Sequence, residues 1–67
     1  MKKLKKAGRG RKYDEGTPVR SLREQDAGAT GTIISLTRRK EAWAYNVLLD
    51  RTGRIVTCRE DELEEVL

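Results

Sequence analysis

The residues best suited to chemistry in this chain are its cations. Lys2, Lys3, Lys5, Lys6, Arg9, Arg11 and Lys12 fall within the first twelve positions, with no acid among them. Such a run neutralises phosphates and releases condensed counterions, giving sequence-independent, salt-sensitive affinity for nucleic acid. It would equally suit a solubilising terminus, an acidic protein partner or an anionic membrane. A second cluster, Arg38-Arg39-Lys40, follows a β-branched run and has Glu41 beside it. It reads as a charged hairpin tip, either a phosphate contact or a solvated turn, with Arg20 and Arg23 as candidate neighbours. Trp43 and Tyr45 lie two apart, so on a strand they share a face. A base could stack on such a pair. With Tyr13 the two rings could also form part of a peptide or methyl-lysine cage. The plainer role is core, because the chain has no Phe and few other rings to fill an interior. That role suits Tyr45 better than Trp43, which opens its strand.

Catalytic sets are missing from the sequence. There is no His, and Cys58 is the single cysteine. Ser-His-Asp and Cys-His arrangements are therefore excluded, and so is a Cys/His zinc site. The carboxylates of Glu60, Asp61, Glu62, Glu64 and Glu65 have neither a His nor a calcium-loop spacing beside them. They read as a solvated acidic face, or as a dock for a basic partner or for the protein's own arm. The expectation is a non-enzymatic binding module with no cofactor, no metal and no evident small-molecule substrate.

The net charge of +4 conceals an asymmetry. Seven of the 15 basic residues lie in the first twelve positions, leaving eight against 11 acids in the remainder, a net −3. The high pI thus belongs to the N-terminal segment, and the body need not itself be attracted to polyanions. The basic start is followed by Tyr13-Asp14-Glu15-Gly16 rather than by an apolar stretch, unlike a secretory signal. No run approaches the roughly 20 apolar residues of a membrane span. With one free thiol, these features give the expectation of a cytoplasmic protein that does not act in a membrane.

Elements must now position these groups. At 67 residues there is room for one small domain, which buries only about 60% of its unfolded surface. Residues 1–15 are expected to be a disordered basic arm, since like charges repel and Gly8 and Gly10 loosen the backbone. Thr17 to Leu22 reads as a first strand, with Pro18 at its start or on an edge. Gln25-Asp26-Ala27-Gly28 is a turn signal. Thr30 to Thr37 is β-branched, and Gly31 within it marks a bulge or a close backbone approach. Trp43, Tyr45, Val47 and Leu49 alternate onto one face, the expected core. Asp50-Arg51-Thr52-Gly53 is a tight turn, and Arg54 to Cys58 returns as a strand. Leu63 and Val66 stand at i, i+3, which suits a helical turn or a short last strand after one. The opposite strand face carries Leu48, with Ile34 and either Ile55 or Val56 beside it. An exposed Ile34, Leu48 and Val56 patch would mark a homodimer or protein interface.

Short strands with tight turns are the pattern of a small all-β barrel. On Thr17-Pro18-Val19-Arg20, Ala29-Thr30-Gly31-Thr32-Ile33-Ile34, Tyr45-Asn46-Val47 and Glu62-Leu63-Glu64-Glu65-Val66, residues 16–67 resemble the SH3-like barrel superfamily. The first half is similar to a KOW-type module. The resemblance implies four to five antiparallel strands with a short C-terminal helical turn. It also implies contact with RNA, DNA or nucleoprotein partners through barrel loops, which singles out Arg38-Arg39-Lys40. The layout is similar too to the type II dihydrofolate reductases. Their pore stretch Val-Gln-Ile-Tyr corresponds here to Ile55-Val56-Thr57-Cys58, without the Gln or the Tyr, so that activity does not carry over. The expected function is nucleic-acid binding through the arm, the Arg38 to Lys40 loop and Trp43. The alternative is a protein-interaction or assembly module.

Overall fold

The computed structural model describes residues 11–40 and 42–66. Its strands are β1 (Pro18–Ser21), β2 (Thr30–Arg39), β3 (Ala42–Leu49), β4 (Ile55–Arg59) and β5 (Leu63–Glu65). Short 3-10 turns lie at Glu24–Asp26 and Glu60–Glu62. All pairings are antiparallel, and the five strands form one sheet in the order β4-β3-β2-β1-β5. The all-β expectation holds. Of the two endings the sequence allowed, the second is seen: a 3-10 turn at Glu60–Glu62 is followed by a short last strand, which Leu63 opens.

Local chemistry accounts for the turns. Between β3 and β4, Gly53 adopts φ 73°, a conformation a Cβ would penalise. Its N–H donates to Leu49 O at 2.9 Å, and the Leu49 N–H donates to Arg54 O at 2.9 Å. At the end of β1, Ser21 is buried, and its hydroxyl donates to Asp26 while accepting the Arg23 N–H at 3.1 Å. The Arg23 guanidinium grips Asp26 at 3.2 and 2.7 Å and reaches Thr57 O at 3.1 Å. That fork ties the β1–β2 link to β4.

One face of the sheet carries the core. Tyr13, Val19, Ile33, Tyr45, Val47, Leu49, Cys58 and Leu63 are buried together, with Leu36, Trp43 and Val56 packed partly against them. Val19 and Tyr45 are fully enclosed, at 0% exposure. The alternation Tyr45, Val47, Leu49 is the one expected from the sequence. Tyr13 is not: it is 6% exposed and belongs to the core. The packed body therefore begins by Arg11 rather than at Gly16, which corrects the boundary of the expected arm. The physical reason is the ring itself, the largest apolar group in its segment, which the small core needs as filler.

The connection between β4 and β5 forces the sheet to curl. These strands lie at opposite edges, four spacings of about 4.8 Å apart if the sheet were flat, or roughly 19 Å. Only Glu60–Glu62 joins them, and a 3-10 turn rises about 2 Å per residue. The edges must therefore bend toward each other. Tyr13 fills the space between, its ring 5.5 Å from Tyr45 on β3 and its hydroxyl donating to Leu63 O on β5 at 3.3 Å.

A bulge in β2 resets its alternation. Ile33 faces Val47, but the next pair is Ser35 with Asn46, so Ile34 is an extra residue. An unbroken register would set Thr37 opposite Trp43. The observed one sets Arg38 there. Gly31 is not the bulge but a close approach: a Cβ at Gly31 would lie 2.5 Å from Leu48 O and 2.8 Å from Val47 Cγ1.

Candidate functional site

Arg11, Arg38 and Trp43 come together at one end of the curled sheet. Trp43 is half-buried near the start of β3. The Arg38 guanidinium, delivered by the bulged register, stands over its ring at 5.4 Å from the centroid, and that of Arg11 at 5.7 Å. Both lie within the range of cation–π attraction, worth about 0.5–1 kcal/mol each at an exposed site. Arg11 is also bridged to Asp14 at 2.9 Å. Arg39 and Lys40 extend the cluster to the hairpin tip, and both are exposed. Arg39 pairs with Ala42, so Arg38 and Arg39 belong to β2 and not to the turn in which the sequence had set them. Lys40 takes φ 49°, a left-handed conformation that costs a non-glycine residue about 1–2 kcal/mol. Glu41 lies outside the described residues.

The segment carrying Arg11 and Lys12 is anchored by Tyr45. The Tyr45 hydroxyl accepts the Lys12 N–H at 3.0 Å and the Tyr13 N–H at 3.3 Å, and donates to Glu60 Oε2 at 2.5 Å. The same carboxylate oxygen takes the Lys12 N–H at 2.9 Å. Burial, with the bond to Glu60 second, raises the Tyr45 pKa above 10.0, so the hydroxyl keeps its proton. Lys12 turns its ammonium over the Tyr13 ring at 5.6 Å. The sequence placed Tyr45 in the core and offered the acidic end as a solvated face or a dock for the protein's own arm. The part it missed is the Tyr45 hydroxyl, which with Glu60 holds the backbone of Lys12 and Tyr13. The available signal was chemical: a buried tyrosine hydroxyl needs a partner.

The remaining candidates fall elsewhere. Lys2, Lys3, Lys5, Lys6 and Arg9 lie outside the described residues. Arg20 pairs with Glu64 at 2.6 Å and Arg23 with Asp26 at 2.7 Å, so neither joins the Trp43 cluster as a spare cation. Ile34 and Leu48 are on the outer face, 41% and 39% exposed. Val56 is not, contrary to expectation. It pairs with Val47 and shares that residue's inner face, whereas Ile55 pairs with Leu48 and is 60% exposed. The period of two makes the choice between Ile55 and Val56 absolute once the register is set.

Two other features lack the makings of a reaction site. A cleft of about 440 Å3 lies between the β1–β2 link and the β3–β4 turn, lined by Asp26, Thr30, Asp50 and Arg51 among others. Its carboxylates are engaged, Asp26 by Arg23 and Ser21 and Asp50 by the Thr30 hydroxyl at 3.0 Å. Among the described residues no group of three or more His, Cys, Asp or Glu side chains is placed to hold a metal ion. Cys58 is buried, and that burial raises its thiol pKa above 9.0, the opposite of what activates a nucleophile. No family model, curated protein or solved structure matches the chain.

Proposed function

We propose that the protein is a small non-enzymatic module that binds nucleic acid at the Trp43 end of an SH3-like barrel. The barrel reading is supported by the curled five-stranded sheet and by a last strand that returns beside the first. The observation that carries the function is the gathering of Arg11 and Arg38 on Trp43, with Arg39 and Lys40 just beyond. A guanidinium over an indole can still turn N–H donors to a phosphate, although one nitrogen of Arg11 is already held by Asp14 at 2.9 Å. The stack also limits the rotamer freedom lost on binding. The five cations of residues 1–10 precede Arg11 directly in the chain.

The single tryptophan is a native reporter for the test. Its fluorescence is expected to change on titration with a short oligonucleotide. Neutralising phosphates with Arg11, Lys12, Arg38, Arg39 and Lys40 would give a log–log salt slope of about −4.5, which the five cations of residues 1–10 would steepen further. An unchanged spectrum together with no binding by anisotropy would sink the reading.

The exposed apolar residues Ile34, Leu48 and Ile55 favour a second reading, a protein-interaction surface on the outer face. Association through that face would persist or strengthen at high salt. Sedimentation at increasing protein and salt concentration separates the two.

A further inference from the structure

We infer that the nucleic acid is duplex DNA and that the β2–β3 tip enters its major groove, an inference that rests on the phosphate-binding reading above. The first argument is shape. Pairing of β4 to β3 ends at Arg59 with Ala44, and pairing of β1 to β2 ends at Pro18 with Thr32. The pairs Arg38–Trp43 and Arg39–Ala42 therefore have no other strand beside them and form a ribbon of two strands, the first pair still packed on one face against the core and Arg11. Two further residues at about 3.4 Å each carry the ribbon about 7 Å outward before it turns. A two-stranded ribbon fits the B-form major groove, about 12 Å wide and 8.5 Å deep, and not a minor groove of about 6 Å. The major groove of A-form RNA is too narrow and deep to admit it.

The second argument is the placing of charge. Arg38 shares the face of Trp43 and its neighbour Arg39 projects from the other, so the ribbon offers a guanidinium to each side of a groove. Lys40 sits between the two strands in a left-handed conformation that glycine or asparagine would adopt more cheaply. Lys40 thus sets a cation at the turn, with Glu41 next to it in the sequence. Single strands instead require a ring open to a base. Trp43 is half-buried and already carries two guanidiniums over its ring. With the ribbon in the groove, Arg11 at its base faces the flanking sugar–phosphate backbone.

The test compares a DNA duplex, an RNA duplex and a DNA single strand of one sequence, using anisotropy of labelled ligand and Trp43 fluorescence. Dimethyl sulfate then maps the DNA duplex, since it methylates guanine N7 in the major groove and adenine N3 in the minor groove. The expected result is affinity for the DNA duplex about tenfold or more above the other two, with N7 protected and N3 reactive. Arg39→Ala and Lys40→Ala should each weaken duplex binding several-fold. Arg51→Ala, on the exposed turn at the far end of β3, should leave it nearly unchanged. Equal affinity for the single strand, or N3 protection without N7 protection, overturns the groove inference while sparing the phosphate reading. Absence of binding to all three ligands overturns both. Circular dichroism of each variant establishes that it is folded.

Discussion

At the scale of single residues, Tyr45 does two things at once. Its ring is a core filler, and its hydroxyl joins the Tyr13 N–H, from which it accepts, to Glu60, to which it donates. Tyr45→Phe keeps the ring and strands those groups, so stability should fall by about 1–3 kcal/mol in urea titration. Salt-dependent binding should weaken as well, because Arg11 is held to the body through the same segment. Asp26 sets the acid sensitivity. Hydrogen bonds from Arg23 first and Ser21 second lower its pKa below 3.8. A carboxyl depressed on folding contributes stability that is fully present above its unfolded value and lost as pH falls through its folded value. The urea midpoint of the wild type should therefore exceed that of Asp26→Asn at neutral pH. The gap should close below about pH 3.8, and a constant gap down to strong acid would refute this assignment.

At the scale of elements, the β2–β3 hairpin concentrates the specificity of the fold. Gly31 lets the two backbones meet, since a Cβ there would fall 2.5 Å from Leu48 O. Gly31→Ala must push apart two paired strands and is expected to destabilise by about 1–3 kcal/mol. That change is measurable as a lower urea midpoint at unchanged slope. The tip behaves in the opposite sense. Lys40→Gly relieves a left-handed side chain and should be neutral or stabilising by up to about 1 kcal/mol, while polyanion affinity falls. If Lys40→Gly lowers stability and affinity together, the tip is structural rather than a binding element.

At the scale of the whole molecule, two unlike parts share one short chain. Residues 13–67 are net −3, and the net positive charge comes from the first twelve residues. In the proposed reading, long-range attraction to a polyanion falls to the N-terminal segment and orientation to the tip. Deleting residues 1–10 removes five cations. The log–log salt slope should become shallower by up to about 4.5, at about 0.9 for each phosphate no longer neutralised. The preference among ligand shapes should survive, because the tip and Trp43 are untouched. A truncated protein with the same salt slope would assign the whole interaction to the body.

The sequence alone determined the all-β class, the Tyr45-Val47-Leu49 core face, the β3–β4 turn at Gly53 and the segregation of charge. All of these follow from local propensity, a period of two or simple counting. It also narrowed Gly31 to a bulge or a close approach, and the tertiary pairing chose the second. Three further decisions belonged to the tertiary structure. Tyr13 entered the core because a small curled sheet left a space its ring could fill, which no pattern around Tyr13 announces. Ile55 rather than Val56 joined the outer face because register, fixed by the β3 pairing, settles every side chain on a strand together. Arg38 rather than Thr37 came to face Trp43 because one extra residue, Ile34, shifted the strand by a single position. A bulge of this kind is set by how the two strands pair across the sheet, and its cause is not written in either strand alone.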